Sequence, residues 1–212
     1  MRDNPDYALD DVERVRELVR ANPWATFVSF VPGRGLVASH YPAILDEDEE
    51  GIVLLSHVGR PDDQKHELGR HEMLVIVQGA NGYVSPGWYG RGPAVPTWDF
   101  TVVHAYGTPE ELTVEENLAV LERLVDRFED DEPSPHRLYG TPEDAAYAKR
   151  IVHATLGFRL RVTRFEGKEK MSQDKPREVI GRVIDALDGD GHHRNPALAE
   201  RIRQVNDVKE QS

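Results

Sequence analysis

The sequence predicts a mainly β domain with helical additions, an α+β chain built on a small β-barrel. Three observations predict it. Short apolar runs of strand length recur at Trp24–Phe30, Leu36–Leu45, Ile52–Ser56, Met73–Val77 and Phe100–Tyr106, bounded by glycine, proline, asparagine or aspartate. Helical patterns interrupt these runs without the strand–helix–strand alternation of a parallel nucleotide-binding sheet. Glycine-rich phosphate loops are absent: Gly90-Arg91-Gly92 and Gly189-Asp190-Gly191 lack a flanking strand and a third glycine, which excludes a Rossmann or P-loop site.

Taken in order, residues 10–21 carry Val12, Val15, Leu18 and Val19 at helical spacing, with Asp10 or Asp11 as cap and Asn22-Pro23 as the stop. Trp24–Phe30 is a strand, turned by Pro32-Gly33-Arg34-Gly35 into Leu36–Leu45; Pro42 marks that strand as an edge or a bend. The acidic run Asp46–Glu50 reads as a solvated hairpin tip, because adjacent carboxylates without a spacing rule form no cation cage. Ile52–Ser56 is a strand ending in His57, and 61–70 a short helix with Pro61 at its start. Met73–Val77 and Tyr83–Ser85 are strand-like, and Asn81-Gly82 between them is a hairpin signal.

Phe100–Tyr106 follows as another strand. Thr113-Val-Glu-Glu116 is a capping box opening a helix to about Arg127, and Thr141-Pro142-Glu143-Asp144 opens another to about His153. Leu156–Phe165 alternates as a last barrel strand, and helices near 176–187 and 196–207 finish the chain. With no internal repeat and no low-complexity linker, 1–187 reads as one domain with inserted helices. Residues 188–212 read as a C-terminal helical appendage, not an independent domain.

Composition narrows the chemistry. There are no cysteines, which excludes disulfides, thiolate metal sites, iron–sulfur clusters and a cysteine nucleophile. No apolar run reaches the ~20 residues that span a bilayer, and an Asp-rich N-terminus is no signal peptide, so a cytoplasmic location is expected. Net charge is −12, which opposes the approach of a phosphate backbone. The imbalance is uneven: from Arg159 onward there are 12 basic and 10 acidic residues, so residues 1–158 carry −14 and an anion should favour the C-terminal part. Nine histidines include no HExxH, and His192-His193 in a glycine–aspartate tail reads as solvent-facing; no metal site is expected. There is no GxSxG, and no catalytic acid or base can be singled out.

Between the two apolar runs of 73–107 lie Tyr83, Ser85, Trp88, Tyr89 and Trp98, which suit either the wall of a pocket for a flat ligand or an aromatic plug for a barrel end. GYVSPGWY at 82–89, VPTWDF at 95–100 and VHAYG at 103–107 resemble the signature of the PaiB-type family, commonly called FMN-binding negative transcriptional regulators. ASHYP at 38–42, LSHVGRPDDQ at 55–64, LGFRLRV at 156–162 and KMSQDKP at 170–176 match in the same order, so the resemblance covers roughly residues 7–180.

The resemblance implies a split β-barrel of the FMN-binding type with C-terminal helices, forming a homodimer with cofactor sites at the interface. Cofactor contacts are expected from Ser39, His40, Ser56, His57, Arg60, Gln64, Tyr83, Ser85, Trp98, Lys170, Ser172 and Gln173. The two Ser-His dipeptides would meet the flavin's ribityl phosphate and ring, and the Lys-x-Ser-Gln block a phosphate or the ring edge. Asp174 in that block puts negative charge where a phosphate would want none.

Three functions follow. The first is a flavoprotein of unknown substrate, either a small oxidoreductase or a flavin-linked regulator. The second is a transcriptional repressor, as the family name implies, although DNA is disfavoured by charge and the last two helices lie too far apart for a helix-turn-helix. The third is a haem-dependent relative acting on an N-hydroxylated amino acid, since haem needs only one axial histidine. The intact SHVGRPDDQ and KMSQDKP blocks favour flavin.

Overall fold

A computed structural model describes residues 4–208. In chain order the elements are α1 (Val12–Ala21), β1 (Trp24–Val31), β2 (Gly35–Leu45), β3 (Val53–Gly59), α2 (Asp62–His66), β4 (Met73–Val84), β5 (Thr97–Gly107), β6 (Pro109–Glu111), α3 (Val114–Glu129), α4 (Pro142–Ile151), β7 (Thr155–Arg161), β8 (Arg164–Lys170), α5 (Arg177–Asp188) and α6 (Pro196–Val208). They gather into two compact units. Residues 12–77 and 104–165 form the larger; the smaller takes 78–103 together with the described residues up to Asp11 and from Glu166 onward. Strands β4 and β5 each contribute residues to both.

In the larger unit the strands hydrogen-bond in the order β6-β7-β3-β2-β1-β4. The pairs are antiparallel, with Thr26 opposite His40 and Ile76, and Ser56 opposite Ala43 and Phe158. Strict alternation of burial along β1 puts Ala25, Phe27, Ser29 and Val31 inside, as period-two side-chain direction requires. Phe27 meets Phe158 edge-on at 5.6 Å, and Leu55 packs with Leu112, Val120 and Leu124 of the α3 side. Each such large side chain contributes roughly 1.5–3 kcal/mol when fully buried. α3 starts where the capping box places it: the Thr113 amide donates to Glu116 Oε2 (2.8 Å) and the Glu116 amide to Thr113 Oγ1 (3.2 Å). The outer face of β1 and β2 is apolar and bare, with Trp24, Phe30 and Leu36 65%, 63% and 77% exposed.

The smaller unit orders its strands β4-β5-β8. Helices α5 and α6 share one core with the end of β4: Val84, Tyr89, Met171, Val179, Val183, Leu187, Leu198, Ala199 and Ile202 are all buried in it. The stretch 188–212, read from sequence as an appendage, therefore supplies three of these core residues.

Several local expectations are corrected. Asn81-Gly82 makes no hairpin; β4 runs unbroken from Met73 to Val84. Gly82 is needed for close approach, since a Cβ there would lie 2.9 Å from Asn195 Nδ2 and 3.0 Å from Leu198 Cδ2. Leu156–Phe165 is two strands, β7 and the start of β8, separated at Val162-Thr163. The 61–70 helix shrinks to α2, because Glu67 turns left-handed at φ 46° and Leu68 is drawn into the core. The acidic run is no free hairpin tip: buried Asp46 pairs with Arg123 (3.1 Å) and Arg159 (3.4 Å), and Glu49 with Arg161 (2.9 Å).

Candidate functional site

The expected site residues fall into two groups, one in each unit. In the larger unit they lie along β2, β3 and α2. Ser39 Oγ donates to Asp62 Oδ2 (2.8 Å), as does the Tyr41 hydroxyl (2.8 Å), which in turn accepts from the Gly59 amide (3.2 Å). Ser39's one proton being committed, its lone pair accepts from His66 Nε2 at 3.1 Å; buried His66 is thus the Nε2-protonated tautomer, and Ser29 Oγ donates to its Nδ1 at 2.9 Å. Burial pushes the His66 pKa down. The Lys65 ammonium, followed by Tyr41 and Ser39, pulls Asp62 down to about 2 against the cost of burial.

Hydrogen-bonding capacity separates residues that hold the fold from those left for a ligand. Ser56 is fully buried and donates to the Pro42 carbonyl (2.7 Å). Ser39 is likewise engaged. His57 differs: its buried Nδ1 has no partner among the described residues, its ring centroid lies 5.9 Å from that of Tyr41, and burial lowers its pKa, keeping the imidazole neutral. Asp63 accepts from Arg60 through Oδ2, while its buried Oδ1 is also unpartnered among the described residues. Arg60 uses one nitrogen on Asp63 and keeps further donors. Gln64 is exposed with no side-chain partner among the described residues, and His40 is exposed and stacked on Trp24 at 6.5 Å. Native structures leave few buried polar atoms unpaired, and each calls for an explanation. Two fall on the seven-residue stretch His57–Asp63.

In the smaller unit the Lys-x-Ser-Gln block is a staple. Lys170 Nζ donates to Thr97 Oγ1 (2.6 Å), the Trp98 carbonyl (2.7 Å) and Asp99 Oδ1 (3.0 Å). An ammonium has three protons, so none is left for a ligand. Ser172, held at φ 56°, donates to Asp99 Oδ2. Gln173 accepts from the Met171 amide and donates to the carbonyls of Asp6 (3.2 Å) and Glu169 (2.6 Å), which uses both its N–H protons. Burial raises the pKa of Asp99 against the opposing pull of Ser172 and Lys170. Ser85 Oγ accepts from the Gly87 amide (3.2 Å) and caps the turn Pro86–Tyr89. Tyr83 packs on Trp88 (6.4 Å) and on His193 (4.6 Å), which is exposed, as expected from the sequence. Trp98 is 56% exposed.

Sequence reasoning missed Asp62, Asp63, His66 and Asp99, although the first two lie in the SHVGRPDDQ block. Among the described residues no group of three histidines and carboxylates could hold a metal ion, and no helix is long and apolar enough to cross a membrane.

The chain matches the model of a family described as "Putative FMN-binding domain" over residues 1–164. A curated relative, the Protease synthase and sporulation protein PAI 2 of Bacillus subtilis, is 24% identical over 196 residues, covering 92% of each chain. Among solved structures, the flavocytochrome Anf3 from Azotobacter vinelandii aligns at a TM-score of 0.59 and 18% identity over 80% of this chain and 72% of that one. The FAD and haem binding protein from Mycobacterium smegmatis aligns at 0.56 and 19% identity over 77% and 73%. These likenesses show the fold, that of the flavin-binding split β-barrels.

Proposed function

The chain belongs to the "Putative FMN-binding domain" family, and from that premise we propose that it is a dimeric, redox-active flavoprotein that holds FMN at the β3–α2 junction. The observation that carries this is the pair of buried unpartnered atoms, His57 Nδ1 and Asp63 Oδ1, beside the partly free donors of Arg60. Neutral His57 and the exposed amide of Gln64 suit the polar edge of a flavin, and the Arg60 guanidinium suits its phosphate. Ser39, Tyr41 and Asp62 keep the junction in place without meeting the ligand. A bound flavin supplies electron transfer that these side chains lack.

Dimerisation is supported by the bare outer face of β1 and β2. Trp24, Phe30 and Leu36, joined by the half-buried Val28, Leu74 and Ile76 on the same face, make an apolar patch of the kind that marks an interface. A direct repressor role finds less support. Seven residues, 189–195, join α5 to α6, and the net charge of −12 opposes DNA; any regulatory effect is then indirect.

The test is the absorption spectrum of the purified chain before and after addition of FMN, with mass determined by light scattering. The expected result is stoichiometric FMN uptake with quenched fluorescence by a species of twice the chain mass, and a Phe30→Glu, Leu36→Glu double variant that is monomeric. A Soret band without flavin bands would replace FMN by haem, and no uptake of either would overturn the reading.

A further inference from the structure

A second concavity lies wholly within the smaller unit, in a pocket of about 340 Å³ lined by Tyr89, Arg91, Val95, Thr97, Lys170, Lys175 and Val179, with Pro93 and Ala94 on its rim. That volume falls in the small-molecule range. In a chain of net charge −12, three cations and no carboxylate line it. The three cations are not equivalent. Lys170 has committed all its protons to Thr97, Trp98 and Asp99. Lys175 gives one proton to Asp174 (2.6 Å), and its ammonium sits 5.8 Å from the centre of the Tyr89 ring, leaving two donors. Arg91 is exposed and has no hydrogen bond or ion pair among the described residues. Tyr89 is only 7% exposed, yet its hydroxyl is unpartnered among the described residues.

We propose that this pocket binds the phosphate group of a small ligand through Arg91, Lys175 and the Tyr89 hydroxyl. The unpaired Arg91 guanidinium offers a phosphate a paired donor fork, and Lys175, though paired with Asp174, keeps two N–H donors for it. Lys170 adds its charge without a hydrogen bond and, through its three anchors, holds Thr97 and the start of β5 as the opposite wall. The nearest acids are already neutralised: Asp174 by Lys175, and Asp99 by Lys170 and the Ser172 hydroxyl. Arg91, Lys175 and Tyr89, which would meet the phosphate, are other than the His57, Arg60 and Gln64 proposed to hold FMN.

The experiment is a titration of the full-length chain with inorganic phosphate, followed by the backbone amide resonances of Arg91, Ala94, Thr97 and Lys175, against sodium chloride at equal ionic strength. Saturable shifts with phosphate alone are expected. R91Q and K175Q should each weaken them by about tenfold, and Y89F by less, while the rest of the spectrum stays unchanged. Equal shifts with chloride, or undiminished affinity in R91Q and K175Q, would overturn the proposal. Repeating the titration with FMN and with riboflavin present identifies the source of the phosphate. Loss of the response with FMN but not riboflavin assigns the pocket to the flavin's own phosphate, and persistence with both assigns it to a separate phosphorylated ligand.

Discussion

Lys170, half-buried, pairs with fully buried Asp99, with Nζ 3.0 Å from Oδ1. Removing one partner of such a pair leaves an uncompensated charge, which costs about 3–5 kcal/mol. Lys170→Met should destabilise the chain by about 3 kcal/mol in urea unfolding, and adding Asp99→Asn should restore most of it. The pH dependence has a definite sign. Burial raises Asp99 above the ordinary carboxylate value, so the folded chain binds that proton more tightly than the unfolded one. The contribution is therefore most favourable below the unfolded value and is lost as pH rises through the raised one. Lys170→Met removes a cation that opposes this rise, so the variant should regain stability relative to the unmodified chain as pH is lowered.

Asp62 behaves oppositely. Its pKa of about 2 lies below the unfolded value, so its contribution is present above about pH 4 and is lost as pH falls toward 2. Lys65 is half exposed, which screens that part of the attraction. Asp62→Asn should cost about 1–2 kcal/mol at neutral pH, through the lost charge-assisted bonds from Ser39 and Tyr41. Thermal melts from about pH 7 down to about pH 2 would show the difference shrink only below about pH 4.

Gly82→Ala tests the corrected reading of β4. If Gly82 serves close approach, the added methyl meets Asn195 and Leu198 and costs about 1–3 kcal/mol by overpacking. A hairpin glycine with positive φ would show a comparable loss, so the deciding variant adds Asn195→Gly. That change makes room at Asn195 and should recover part of the stability, which strain in a turn would not allow.

His57 and Ser56 are neighbours in sequence with different tasks. His57→Ala should weaken FMN binding at least tenfold with little change in melting temperature. Ser56→Ala loses the bond to the Pro42 carbonyl and should cost about 1 kcal/mol of stability at nearly constant affinity. Fluorescence titration beside calorimetry separates the two; equal effects from both would remove His57 from the ligand.

Much of the architecture was legible because it rests on local chemistry. The Thr113–Glu116 box predicts its helix start, and the apolar run Trp24–Phe30 predicts the strand β1. β8 was hidden because its buried residues include the charged Lys168 and Glu169 and show no apolar alternation; Glu169 takes Arg201 at 2.6 Å and Thr101 at 3.1 Å. The candidate site was legible only as motif blocks. Within them, nothing in the sequence could tell that Lys170, Ser172 and Gln173 spend their bonds on the protein, whereas His57 Nδ1 has no partner among the described residues and Arg60 spends only one nitrogen, on Asp63. Asp62 and Asp99 could not be picked from 38 acidic residues, because their importance comes from partners distant in sequence.

The Leu9 amide donates to the Gly167 carbonyl at 3.1 Å, and Ala8 bridges to Lys168. Every residue of the larger unit lies between these partners or within β4 and β5. During synthesis, the ribosome therefore releases the whole larger unit once Phe165 has emerged, before most of β8 and all of α5 and α6 have followed it out. The N-terminal turn must wait for the last quarter of the chain, with loop closure across the full larger unit setting its cost. Nascent chains halted shortly after Phe165 should protect the larger unit from proteolysis and leave residues 78–103 open to it.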